Sequence, residues 1–472
     1  PYNVIVLIAI VLLVYLIIFP LVDMLSTTFQ LSQRDLRNVP GGVPGEFTFY
    51  YWKRLLASDL SMNLLIKPLL NSLLIGVGVS VCAILLGSVL AWLMVRSDLP
   101  FKPFFSLAVI IPYMIPSWVK SQAWLSMFKT PRVGGSAGFV ASIMSNMGVS
   151  NEMIETLLSP VAYGAIAIII VLTLHYYAYT YLLVSAALNS INSELEEMGE
   201  IQGASKSLIL RKITLPLVLP AMLSAVILTF SKAIGTFGTI NYLGSPVSFR
   251  TLSSELYSNS KSQNTQTAFA MAILMICIAS LSVFINQKLI GSRKSYATIG
   301  GKGGRSTEMQ LGKAKIPLMA FIVLCLFFAM VAPMFVLVME TFQVTTGGGY
   351  GLSNLTTYYW VGTTENAPVY INYNGILRNP EFGRAFYNTI RLTAIGSTLT
   401  ALCGQFLGYV ITRGRGKWYG NLTDQLVFIP YLMSGVAFSS MYIAMFSQPR
   451  MGGIIPTPVT YTHLTLPTLF SV

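Results

Sequence analysis

Leu195–Pro220 reads LEEMGEIQGASKSLILRKITLPLVLP, a polar stretch between two apolar runs at 161–189 and 216–234. Glu194, Glu196, Glu197 and Glu200 crowd its start, where the positive end of a helix dipole favours carboxylates. Gly203 permits a turn, and Ser205 or Ser207 can cap a second helix in which Leu208, Ile209 and Ile213 alternate with Lys206, Arg211 and Lys212. Pro216 and Pro220 mark the return to apolar surroundings. The stretch therefore predicts a helix-turn-helix elbow with one apolar face, a shape suited to a groove on a partner protein.

What flanks the elbow settles the class. Of 472 residues, 54% are hydrophobic and 10% charged, whereas soluble domains carry about 25% charged residues. So much apolar surface exceeds what soluble cores can hide, which makes lipid the solvent for much of the chain. A bilayer core of about 30 Å needs about 20 helical residues. Runs of that kind fall at 4–22, 70–95, 104–127, 161–189, 216–234, 266–287, 316–339, 386–411 and 424–446. None alternates as a barrel strand does, so the expectation is an all-α polytopic membrane protein.

Charge gives the orientation. With the N-terminus in the cytoplasm, the cytoplasmic segments 96–103, 190–215, 288–315 and 412–423 hold 15 Lys and Arg in 74 positions, and the opposite segments hold 11 in 157. That bias is what the positive-inside rule requires, so the net charge of +13 reads as topology rather than nucleic-acid binding. Cys82, Cys277, Cys325 and Cys403 lie singly in apolar runs, with no disulfide or metal spacing.

The chain also matches itself. FPLVDMLSTTFQ at 19–30 aligns with APMFVLVMETFQ at 332–343, and Tyr50-Tyr51-Trp52 recurs as Tyr358-Tyr359-Trp360. Further on, Asn71, Gly87 and Arg96 meet Asn388, Gly404 and Arg413, and Pro112-Tyr113 and Met127-Phe128 meet Pro430-Tyr431 and Met445-Phe446. Four blocks in one order point to duplicated halves of parallel topology. The expected division is a first half at 1–290 with the loop 195–220, a Gly/Ser/Lys-rich cytoplasmic linker at 291–315, and the start of a second half at 316–458. The stretch 459–472, with TYTHLTLPT at 460–468, resembles a translated sequencing adaptor and is set aside. Because residue 1 is Pro, the chain reads as a fragment, and the offset of the repeat would place a second elbow near position 515.

The elbow is similar to the EAA signature of binding-protein-dependent ABC transporter permeases, E-A-A-x3-G-x9-I-x-L-P. Glu197 takes the Glu position, Gly203 the Gly with Ala204 after it, Ile213 the Ile, and Leu215-Pro216 the closing pair. Met198 and Gly199 stand where the signature has Ala. Six spans before a linker and a duplicated second half further resemble the fused permeases of the ferric iron, polyamine and thiamine group. The resemblance implies a MetI-like transmembrane fold in the bacterial inner membrane. It also implies that the elbow docks on a dimeric ABC ATPase carrying ATP and Mg, and that an extracytoplasmic binding protein delivers the solute.

Nothing in the residues suggests that this chain itself binds ATP or any cofactor. GGKGGRST at 300–307 lacks the Gly-Lys-Ser/Thr ending of a phosphate loop. Without a catalytic His, Cys or carboxylate pair outside the spans, a transport subunit is expected rather than an enzyme. Intramembrane polar residues are costly and ask for a partner or a pathway, and LHYYAYTY brings His175, Tyr176, Tyr177, Tyr179 and Tyr181 together. His175, Tyr176, Tyr179, Lys120 and Lys232 are the candidates for a translocation path, with Arg391 near another span. The competing expectation is an interfacial tyrosine belt with snorkelling cations. The outward loops hold neither an acidic cluster for a metal nor a basic rosette for an anion. The resemblance to fused permeases implies ferric iron as the solute, with polyamine or thiamine as alternatives. An ion-coupled secondary transporter is the alternative class, which would call for mid-membrane carboxylates that the spans lack.

Overall fold

Long apolar helices dominate the computed structural model, which describes residues 2–191, 194–291, 309–345, 351–366 and 373–447. Among the described residues seven are long and apolar enough to cross a bilayer: Tyr2–Thr27 (α1), Met62–Arg96 (α2), Gly164–Ser190 (α5), Lys206–Gly235 (α7), the helix beginning at Thr265 (α9), Gly312–Glu340 (α10) and Pro380–Arg413 (α11). The shorter helices that shape the site are Lys102–Met114 (α3), Ser117–Phe128 (α4), Glu194–Ile201 (α6) and Gly238–Gly244 (α8). Among the described residues β pairing is limited to the isolated bridges Gln30–Phe47, Ser97–Met309 and Gln343–Leu355. The protein is thus an all-α polytopic membrane protein.

Two of the nine expected spans are not single helices. The run 104–127 is broken into α3 and α4, which meet at 92°. Ile115 is extended (φ −80°, ψ 125°) because Pro116 clashes with a helical residue before it. The run 424–446 likewise falls on Trp418–Leu432 (α12) and Gly435–Ser447 (α13), with Met433 extended between them (φ −79°, ψ 143°).

The chain divides into two compact units. One comprises Pro1–Leu69, Thr251–Ser280 and Thr389–Val472. There Val6 and Ala9 of α1 pack on Val410, and Leu13 and Ile17 on Leu426. The other comprises Leu70–Arg250 and Leu281–Asn388, with α5 at its centre. Tyr177, Tyr181, Val184 and Leu188 of α5 meet Leu90 and Leu93 of α2, Phe105 and Val109 of α3, and Val218 of α7. Higher on α5, Ile168, Val171 and Leu172 meet Trp124 of α4 and Ile240 and Leu243 of α8. At Gly87 a Cβ would lie 2.6 Å from the Tyr177 carbonyl, so a hydrogen there is what lets α2 and α5 touch backbone to backbone. The opposite side of α2 exposes Leu70, Leu74, Val77, Val81, Leu85 and Val89, an apolar face suited to lipid.

The matching blocks of sequence share local geometry. A π-turn covers Val14–Ile18 and again Phe327–Val331, each leading into a helix with proline near its start. Trp52 Nε1 donates to Thr28 Oγ1 at 3.0 Å, and Trp360 Nε1 to Thr341 Oγ1 at 3.0 Å. Phe29 stacks on Trp52 at 6.1 Å and Phe342 on Trp360 at 6.0 Å. The extended breaks at Ile115 and Met433 fall at the same offset as Pro112-Tyr113 and Pro430-Tyr431. Gly404 has no neighbour within 4 Å, and Arg413 bonds Tyr409 rather than a buried partner. Residues 292–308, including the phosphate-loop lookalike, and the tail 459–472 lie outside the described residues.

Candidate functional site

The polar elbow folds as α6, a turn and the start of α7. Gly203 takes φ +80°, the left-handed conformation that costs a side-chain-bearing residue free energy. Its N–H donates to the Glu200 carbonyl at 2.9 Å, and that of Ala204 donates to the Gly199 carbonyl at 3.0 Å. Together they form a Schellman closure that satisfies the last carbonyls of α6. Ser205 then caps the next helix, its Oγ accepting from the Leu208 N–H at 3.3 Å. A Cβ on Gly199 would sit 3.2 Å from Ile209 and 3.3 Å from Ile213, so the departure from Ala at that position lets α6 lie close on α7.

Three side chains absent from the sequence-based set anchor the elbow. Arg96, last residue of α2 and 3% exposed, donates through Nη2 to the carbonyls of Leu188 at 3.1 Å and Ile191 at 3.3 Å. Its Nη1 lies 3.5 Å from Glu196 Oε2, and Glu196 Oε1 accepts from Thr214 Oγ1 at 2.6 Å. The ends of α2 and α5 and the start of α7 are thereby tied to α6. Glu197, the motif carboxylate, is half-buried and lines a cleft of about 600 Å³ with Trp92, Arg96, Glu200, Lys206 and Met309. Ile213 and Ala204 are half-buried, whereas Gly203, Leu215 and Pro216 are exposed. Leu195, Met198 and Ile201 line α6 with their side chains in the open, Ile201 at 85% exposure.

Residues at the end of the expected linker complete this face. The Met309 N–H donates to the Arg96 carbonyl at 2.8 Å, and the Asp98 N–H to the Met309 carbonyl at 3.1 Å. Asp98 Oδ1 accepts from the Leu311 N–H at 2.9 Å, and Oδ2 pairs with Lys315 at 2.7 Å. The Lys315 ammonium bonded to Asp98 holds its carboxyl below the usual carboxylate range.

The candidate path residues converge in the same unit. Lys120 on α4 is 3% exposed and donates to the Leu174 carbonyl at 3.2 Å. His175 is buried, with its ring 5.0 Å from that of Tyr113 and 4.8 Å from that of Tyr176. Tyr113 and Tyr179 share a hydroxyl–hydroxyl bond of 2.5 Å. The Tyr176 hydroxyl bonds Thr236 at 2.8 Å and reaches the Lys232 carbonyl at 3.5 Å. Lys120, His175 and Tyr176 are enclosed by helices, so they neither snorkel nor form a surface belt. Arg391 is exposed on α11. Among the described residues no three His, Cys, Asp or Glu side chains are grouped as metal ligands.

Residues 83–296 match the family described as binding-protein-dependent transport system inner membrane component. The Fe(3+)-transport system permease protein FbpB 2 of Haemophilus influenzae is 26% identical over 82% of this chain, which spans 66% of that protein, just under two thirds of its length. The sulfate transport system permease protein CysT of Salmonella typhimurium is 21% identical over 45% of this chain and 72% of its own. A solved bacterial ABC transporter involved in import of the acidic polysaccharide alginate is 17% identical at a TM-score of 0.45, covering 60% of this chain and 93% of that one.

Proposed function

We propose that the chain, whose residues 83–296 match the binding-protein-dependent transport inner membrane family, is the membrane-spanning subunit of an ATP-driven importer. A separate dimeric ATPase would supply ATP and Mg, and an extracytoplasmic binding protein would hand over the solute. The observation that carries this reading is the anchored elbow. It presents an apolar stripe, Leu195, Met198 and Ile201, on a short helix whose far side is tied through Glu196 and Arg96 to the spans. Such a stripe suits a hydrophobic groove on a partner. A push on α6 would then reach α2, α5 and α7 through hydrogen bonds rather than through a slack loop.

The elbow faces the cytoplasm in this reading, as the Lys and Arg bias requires, with the N-terminus on the same side. The shared π-turns, Trp–Thr bonds and helix breaks support two copies of one permease plan. Ferric iron is the proposed solute, on the strength of the Haemophilus relative that matches most of the chain.

The test is co-purification. Wild-type chain expressed with its neighbouring genes retains a nucleotide-binding subunit, and Gly203→Pro, which cannot adopt φ +80°, loses it. Equal retention by the folded variant would remove the docking role.

A further inference from the structure

In the unit built around α5, a groove of about 600 Å³ opens between α4, α10 and the short helix Phe139–Asn146. Every side chain that lines it is Phe, Val, Met or Ala. Met127, Ala332 and Val336 are buried and form its floor, while Phe327, Val331 and Phe335 are exposed at its mouth. Only Met127 has a side chain supple enough to fold into an irregular gap, and five of the lining residues are phenylalanines, so the space stays open.

The groove lies at hydrocarbon depth. Phe327 sits near the middle of α10, and Phe335 is further along by about 12 Å at 1.5 Å per residue. That is close to one leaflet of a bilayer core about 30 Å thick. Past the groove Glu340 ends α10, accepting from Ser126 Oγ at 2.5 Å and lying 3.9 Å from the Lys129 ammonium. Charges of this kind mark the headgroup level, so the lining below them meets lipid tails.

The repeat explains why the groove is there. In the matching helix α1 the π-turn Val14–Ile18 is met by protein: Tyr442 donates to the Leu16 carbonyl, and Leu426 packs on Leu13 and Ile17. The residue aligned with Tyr442 is Trp124, and its indole donates instead to the Val161 carbonyl at 2.9 Å. The π-turn Phe327–Val331 of α10 is left as a wall of the groove.

Water does not settle in a space that offers it no hydrogen-bond partner. A hydrocarbon chain needs none, and it is the solvent at that depth. We propose that the groove holds one acyl chain of a phospholipid, drawn from the leaflet at the Glu340 end, and that this tail wedges α10 against α4. The site requires only that these helices span a bilayer, so its failure leaves the importer reading standing.

A tail in the groove would touch Phe128, whose ring lies 4.6 Å from that of Trp124. Trp124 itself is 5% exposed, out of reach of the lipid around the protein. The test reconstitutes the full chain in vesicles of phosphatidylethanolamine and phosphatidylglycerol whose tails carry bromine, which quenches indole emission at short range. The emission lost in Trp124→Phe gives the share of Trp124. That share is quenched in wild type and recovers in Val331→Phe, which plugs the mouth, while the other tryptophans are quenched alike in both. An unquenched Trp124, as when a protein segment or a second copy covers the mouth, overturns the proposal, and so does equal quenching in Val331→Phe. A second measurement does not depend on the folding of Trp124→Phe. Phosphatidylglycerol added to the lipid-stripped chain in detergent raises the thermal midpoint of wild type more than that of Val331→Phe, and equal rises would also overturn the site.

Discussion

Arg96 and Glu196 meet at 3.5 Å with 4% and 17% of their side chains open to solvent, although 100 positions separate them. Removing one member of a buried pair costs more than the pair contributes, because the other is left uncompensated. Arg96→Met is expected to lower stability by about 3 kcal/mol, since it strands Glu196 and two carbonyls. Glu196→Gln keeps an acceptor for Thr214 and should cost about 1 kcal/mol. Thermal unfolding in detergent checks the order, and a larger loss in Glu196→Gln would contradict it.

At Gly203 the question is backbone rather than contact. A Cβ would meet nothing within 4 Å, so the only penalty of Gly203→Ala is the left-handed conformation, about 1 kcal/mol. Gly203→Asn should cost less, because Asn tolerates that region. Hydrogen exchange of α6 amides should therefore rise in the order wild type, Asn, Ala. Unchanged protection in the alanine variant would show that the turn does not control the elbow.

The membrane class was legible because lipid demands long apolar runs, and seven of the nine runs became helices. The breaks at Ile115 and Met433 were not, since hydropathy does not register an extended residue inside an apolar run. Nor does proline alone betray them: Pro20 and Pro220 sit within helices that continue. The elbow's turn and cap could be read from Gly203 and Ser205, whose effects are local. Arg96 read only as a basic residue at a span's end. Its carbonyl partners and Glu196 arrive from 92 to 100 residues away, which no local pattern reports. The signal that could have found it was the loop arginine shared by the two halves.

The twin indole bonds invite a paired measurement. Trp52→Phe and Trp360→Phe keep the stacking on Phe29 and Phe342 but remove the donors to Thr28 and Thr341. Each should cost about 1 kcal/mol, and the two costs should agree within about 0.5 kcal/mol if the two repeated segments are equivalent. Thr28→Val and Thr341→Val should reproduce them. A cost in one segment and none in the other would show that matching distances conceal different environments.

Asp98 gives the pH dependence. Its hydrogen-bonded partner Lys315 lowers the carboxyl below its ordinary 3.8 in the folded chain. A carboxyl depressed on folding stabilises the folded state fully above its unfolded value, and that contribution fades as pH falls through the lower folded value. Wild type should therefore lose part of its thermal midpoint as pH falls from about 5 toward 3, while Asp98→Asn shows a shallower slope there and a lower midpoint at pH 7. Lys315→Met should flatten the same window. Asp98 also receives the Leu311 N–H, so the asparagine variant keeps that bond and isolates the charge. Parallel slopes in wild type and Asp98→Asn would show that another group governs acid sensitivity at this corner.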